Sequence, residues 1–107
     1  MTQEFTLKIR KSDIPQGRSK VFLSHGIQIA LTEVEGTYYA FLDLCTHRDE
    51  PLSSGCLKGT VIECPFHGAK FDLRDGRALC APAKDSLPVF KIEDLGDTLL
   101  VDLDEVL

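Results

Sequence analysis

The sequence predicts an all-β fold: an antiparallel β-sandwich or barrel base with an inserted metal-binding tip. Three observations lead there. Short runs of aliphatic, β-branched and aromatic residues recur along the chain. Turns rich in Gly and Asp separate them. The candidate metal ligands all fall between residues 43 and about 85, with strand signals on both sides.

The segment "MTQEFTLKIRKSDIP" alternates polar and apolar residues. It has neither the apolar h-region of a signal peptide nor a twin-arginine signal. Ser12 is placed to cap a short helical turn through Pro15, and the residues near Leu52 suit another. "KVFLS" (20–24) and "IQIALTEV" (27–34) flank His25-Gly26, a two-residue hairpin turn. Glu35-Gly36 turns the chain into "TYYAFLDL" (37–44). "TVIE" (60–63) runs straight into Cys64. "KFDL" and "RAL" flank the turn Arg74-Asp75-Gly76. "VFKIED" (89–94), a turn at Gly96-Asp97 and "TLLVDL" (98–103) complete the strands. The expected organisation is a single domain, 1–107, with a base of about 1–42 and 86–107 and a ligand-bearing insertion of about 43–85.

At 107 residues the chain has room for one modest core. Its 43% hydrophobic and 27% charged residues are ordinary for a globular protein. Seventeen acidic against twelve basic residues leave a net charge of −5, with no basic run. That argues against a phosphate-binding, nucleic-acid role, which needs a concentrated basic surface. No stretch approaches the roughly 18 apolar residues of a membrane span. The expectation is a cytoplasmic protein, where four cysteines point to metal or redox chemistry before disulfides.

Two of the three histidines stand beside cysteines, in "CTH" (45–47) and "CPFH" (64–67). Each half-site offers one soft thiolate and one borderline imidazole. Zinc is one reading, although its usual spacings pair like with like, as C-x(2–4)-C with H-x(3–5)-H. The other is a binuclear iron–sulfur cluster, both cysteines on one iron and both histidines on the other, so that each loop spans the two metals. Spacing alone leaves both open.

The flanking residues bear on the choice. "CTH…CPFHGAKFD" resembles the Rieske signature, and "CAPAKDSLPVF" (80–90) resembles the proline loop that covers the cluster in that family. The resemblance extends over most of the chain and is best at 45–90. It implies a Rieske-like fold and one [2Fe–2S] cluster, with Cys45 and Cys64 as thiolates on one iron and His47 and His67 as neutral imidazoles on the other. Gly68 suits a backbone passing close to a cluster, and equally an ordinary turn.

Departures from the family's patterns narrow the resemblance. Rieske proteins of respiratory and photosynthetic complexes join an extra cysteine from each loop in a disulfide; here those positions are Glu50 and Phe66. Their sulfur-bonding serine and tyrosine are replaced by Ala69 and Phe71, and their membrane helix has no counterpart. Cys56 and Cys80 read as small, mostly buried residues. His25 reads as a solvent-facing turn residue. With His47 and His67 taken by the cluster, the second site of a Rieske oxygenase, two histidines and a carboxylate, cannot be assembled.

The chain thus resembles the stand-alone Rieske ferredoxin of multicomponent aromatic-ring dioxygenases. The resemblance implies a monomeric one-electron carrier with no catalytic site of its own. Its partners would be a flavin-containing, NAD(P)H-dependent ferredoxin reductase and a terminal oxygenase. A Rieske small subunit of an assimilatory nitrite reductase is the alternative. A zinc-stapled interaction module, which would be colourless, is a third reading.

Overall fold

The computed structural model describes residues 6–43, 53, 55–64, 68–80 and 86–106, with the backbone alone at 80 and 104–106. The strands are β1 (Thr6–Arg10), β2 (Lys20–Ser24), β3 (Ile27–Val34), β4 (Thr37–Leu42), β5 (Cys56–Lys58), β6 (Val61–Glu63), β7 (Lys70–Asp72), β8 (Ala78–Cys80), β9 (Val89–Asp94) and β10 (Thr98–Val106). They form a six-stranded sheet in the order β1-β10-β9-β4-β3-β2 and a four-stranded sheet in the order β5-β6-β7-β8. Every strand pairing is antiparallel. The all-β, antiparallel expectation holds.

β2, β3 and β9 coincide with the segments expected from sequence; β4 stops at Leu42 and β10 runs on to Val106. β1 and β5 are additions to the expected set. Two tight hairpins join β2 to β3 and β3 to β4. Both of their central residues have positive φ, 53° and 75° at His25-Gly26 and 50° and 85° at Glu35-Gly36. That is the sign pattern of a type I′ turn, whose twist matches the strands it joins. The helical turn is a single 3-10 turn, Lys11–Asp13, preceded by Arg10 with no side-chain cap. Ser12 lies inside the turn, so the expected Ser12 cap is not made. The turn expected near Leu52 lies outside the described residues.

Period-two alternation sorts side chains into two cores where the length predicted one, because the large sheet buries both of its faces at β3 and β4. Ile29 and Leu31 of β3 and Ala40 of β4 join Ile9, Phe90, Leu99 and Val101 on the inner face of the large sheet. Five strand gaps of ~4.8 Å would hold β1 roughly 24 Å from β2 in a flat sheet. Instead Ile9 of β1 and Phe22 of β2 pack in one cluster, so the sheet curls towards a barrel. The β1–β2 connection helps to close it: the Gly17 amide donates to the Glu33 carbonyl (3.0 Å) and the Glu33 amide to the Pro15 carbonyl (3.1 Å). Beneath it, the fully buried Thr32 hydroxyl donates to the Arg18 carbonyl at 2.7 Å.

Ala30, Phe41 and Val89 point the other way and form a second core with Ile62, Cys64, Ala69, Phe71 and Leu73 from the small sheet and its turns. β3 is therefore buried on both faces from Ile29 to Thr32. Where the chain passes between sheets it is fastened by backbone. The Leu42 amide donates to the Pro88 carbonyl (3.0 Å), and the Leu87 amide donates to the Gly76 carbonyl (2.7 Å).

Candidate metal centre

Cys64 follows β6 directly, at the mouth of the β6–β7 hairpin. Register carries it there: Ile62 faces Phe71 and Glu63 faces Lys70. The next rung is made by the Cys64 amide, which donates to the Ala69 carbonyl at 2.7 Å. The Gly68 amide closes the loop by donating to the Cys64 carbonyl at 3.2 Å. Gly68 has φ +74°, and a Cβ there would meet only the Glu63 carboxylate at 3.6 Å. Left-handed backbone, and no shortage of space among the described atoms, is what this turn asks of Gly68.

The Cys64 residue is 2% exposed, its thiol free of any disulfide. Around it the second core contributes Ile62, Ala69 and Phe71, all fully buried. A buried thiol in an apolar wall, on a hairpin fixed by its own amide, fits a cluster ligand that must be shielded from water. Ala69 and Phe71 bring no hydroxyl to this wall. The other three expected ligands, Cys45, His47 and His67, lie outside the described residues, as do Glu50 and Phe66.

Two buried carboxylates brace the surroundings, and the sequence reading singled out neither. Asp43, 4% exposed, ends the β4 run two residues before Cys45. Its Oδ1 accepts the Ser53 amide at 2.7 Å and its Oδ2 accepts the Ser53 hydroxyl at 3.1 Å. Asp72, 3% exposed, is gripped by Arg74: the amide donates to Oδ1 at 3.0 Å and Nη2 to Oδ2 at 2.7 Å. Those side-chain hydrogen bonds from Arg74 hold the Asp72 carboxyl at about 2, below its ordinary 3.8. The grip shapes the β7–β8 turn, where the Gly76 amide donates to the Asp72 carbonyl at 2.6 Å. A run of the type D-x-R-D-G was the available signal for Asp72, since Asp before a turn commonly binds backbone two residues on.

Cys56 corrects the sequence reading. It is exposed on β5, an edge strand of the small sheet. The three-residue strand alternates about Leu57, which packs inward and turns Cys56 and Lys58 to solvent. The Cys80 side chain is outside the description. His25 is exposed, as expected, with Nδ1 2.8 Å from the Ser24 hydroxyl.

The same fold and length recur in known proteins. The ferredoxin component of the naphthalene 1,2-dioxygenase system of Pseudomonas aeruginosa is 38% identical over 103 residues, covering 96% of this chain and 99% of that protein. The Pseudomonas putida protein of the same description is 40% identical over 105 residues, with the same coverage. A chain in the complex of reduced oxygenase and oxidized ferredoxin in carbazole 1,9a-dioxygenase superposes with a TM-score of 0.85 at 35% identity, covering 92% of this chain and 94% of that one. No helix among the described residues is long and apolar enough to cross a membrane. With the Rieske [2Fe–2S] domain matched over residues 4–91, the chain belongs to the Rieske [2Fe–2S] family.

Proposed function

We propose that this chain is the ferredoxin component of a multicomponent aromatic-ring dioxygenase system. It carries one electron at a time from a flavin NAD(P)H-dependent reductase to a terminal Rieske non-haem iron oxygenase, as a cytoplasmic monomer. The observation that carries the reading is the match to ferredoxin components along 99% of their own length, at 38% and 40% identity.

Cys45 and Cys64 serve as the thiolate ligands, and His47 and His67 as the neutral imidazoles. When bound, a [2Fe–2S] cluster supplies a reversible one-electron couple, which two imidazoles in place of two thiolates raise above that of plant-type ferredoxins. The work of this chain is to hold the ligands and set their surroundings. The β6–β7 hairpin fixes the direction of Cys64 through the Cys64–Ala69 hydrogen bond. Burial of Ile62, Ala69 and Phe71 keeps water from that thiolate. Because the side chains of Ala69 and Phe71 carry no donor, the reduced state gains no side-chain hydrogen bond from them. The midpoint then belongs near the low end of the Rieske range, about −150 mV.

The docking face proposed with this reading is the tip that the family resemblance implies, where His47 and His67 would present their outer ring edges within an apolar collar of Phe66 and Pro82. Arg48, Asp49, Glu50 and Lys84 would be more peripheral, as a charged rim. A small apolar centre with such a rim suits weak, fast exchange with two partners in turn. One face serving both makes the two encounters mutually exclusive.

Anaerobic purification tests the reading. Red-brown protein with about two irons and two sulfides per chain is expected, reduced by such a reductase and reoxidised by such an oxygenase. His47→Ala or His67→Ala should lose the cluster or leave it labile. One zinc per chain and no visible absorption would defeat the proposal.

A further inference from the structure

Asp43 has a role that core packing does not explain. A carboxylate is costly to bury unless it is hydrogen-bonded, and this one is 4% exposed in a β-protein of apolar cores. Among the described residues both of its side-chain bonds go to Ser53, one from the amide and one from the hydroxyl. Asp43 and Ser53 bracket residues 44–52, which include Cys45 and His47.

Asp43 is itself anchored. Its amide donates to the Gln28 carbonyl on β3 at 3.0 Å, and that of its neighbour Leu42 reaches Pro88. Ser53 leads within three residues to Cys56, and Cys56 pairs with Glu63, the residue before Cys64. Hydrogen bonds thus link the large sheet through Asp43 to Ser53, three residues of chain lead from Ser53 to β5, and strand register carries on from β5 to β6 and Cys64. Together these links join the mouth of the first ligand loop to the root of the second.

We propose that Asp43 is a positioning residue for the metal centre: its two-point hold on Ser53 ties together the two ends of residues 44–52, the segment that carries the proposed ligands Cys45 and His47. The inference rests on the assignment of those ligands under the proposed function. It concerns hydrogen-bond geometry and not protonation. Asparagine can imitate the hold, since its carboxamide oxygen accepts the Ser53 amide and its NH2 donates to the Ser53 hydroxyl oxygen. Alanine cannot.

The test compares Asp43→Ala, Asp43→Asn and Ser53→Ala as holoproteins, well below their unfolding temperature. Iron loss to a chelator and the electron paramagnetic resonance spectrum of the reduced protein are read together. Asp43→Ala is expected to release iron at least roughly tenfold faster, with a shifted or broadened spectrum, from the loss of two charge-assisted bonds. Ser53→Ala should fall between, because the amide bond survives, and Asp43→Asn should be rescued to near wild type. Rates within twofold for Asp43→Ala would overturn the proposal, as would Asp43→Asn as labile as alanine. Iron release that merely tracks unfolding, followed by far-ultraviolet circular dichroism, would also overturn it. Should Asp43→Ala not accumulate, the other two variants decide: Ser53→Ala indistinguishable from wild type defeats the two-point hold. A wild-type protein without iron and sulfide would instead defeat the proposed function.

Discussion

Replacing Gly76 by alanine should injure this protein far more than the loss of one hydrogen atom suggests. Gly76 is buried in the β7–β8 turn with φ +79°, and a Cβ there would collide with the Leu87 carbonyl oxygen and crowd Val89 Cγ2 at 3.0 Å. Left-handed backbone costs an L-residue roughly 1–2 kcal/mol. Forcing a methyl group into packed surroundings adds about 1–3 kcal/mol. The collision also falls on the residue whose amide binds the Gly76 carbonyl at 2.7 Å, so about 1 kcal/mol of hydrogen bond is at risk. The sum, roughly 3–6 kcal/mol, is a large part of the ~5–15 kcal/mol that holds a typical domain together. Urea denaturation measures it, with a midpoint expected to fall by roughly 1–3 M. Gly36→Ala is the internal control: φ is +85° there, but among the described residues no atom lies within 4 Å of the added Cβ. It should cost only the backbone share. Equal losses in the two variants would refute the steric argument and leave conformation as the whole effect.

Other outcomes follow from the site and its braces. Ala69→Ser and Phe71→Tyr each put a hydroxyl into the wall beside Cys64. Each should raise the midpoint potential, by roughly 60 mV if the new bond is worth 1.4 kcal/mol in the reduced state; voltammetry of the double variant showing no positive shift would mean that donor count does not set the potential. Asp72 should shape the acid limb of stability. Its carboxyl is lowered from 3.8 to about 2, so the stabilisation is fully present above pH 4 and disappears as pH falls through 2. Discounted for the exposed Arg74 partner, that is roughly 1–2 kcal/mol, and acid titration of Asp72→Asn should show a correspondingly flatter limb. Phe66→Glu should slow reduction by the reductase and oxidation by the oxygenase alike without bleaching the protein; slowing of one step alone, in stopped-flow traces, would exclude a shared docking face.

What the sequence disclosed depended on whether a signal was local. β2, β3 and β9 were legible because apolar residues alternate or cluster there between turn residues. The two type I′ hairpins were legible from Gly26 and Gly36. β5 was not, since "CLK" has no β-branched residue and only one inward position, Leu57. Its existence depends on pairing with β6, a tertiary event. The same blindness misplaced Cys56, whose side of the strand is set by that register. Asp43 and Asp72 escaped notice because a carboxylate reads as surface until its hydrogen-bond partners are known. The ligand pattern was conspicuous because C-x-H and C-x-x-H put unlike donors at fixed short spacing, and Cys64 at the hairpin mouth is the part of it that lies among the described residues.

The arrangement around Leu87 and Pro88 gives the buried polar groups at the joints a purpose under the proposed electron-carrier function. These adjacent residues bind opposite partners: the Leu87 amide reaches Gly76 in the β7–β8 turn, and the Pro88 carbonyl receives the Leu42 amide at the end of β4. Leu42 precedes Asp43, whose carboxylate holds Ser53. The two passages between the sheets are thus fastened to each other as well as to the sheets, in a chain of contacts from Gly76 to Ser53. An electron site works best when its surroundings need not rearrange as the charge changes, and preorganised dipoles meet that demand where flexible loops do not. The Gly76→Ala lesion should accordingly be felt beyond its own turn. Amide exchange at Asp43 and Ser53 should accelerate in that variant while the β1–β10 pairing stays protected. Exchange confined to residues 72–77 would show that the two passages are held independently.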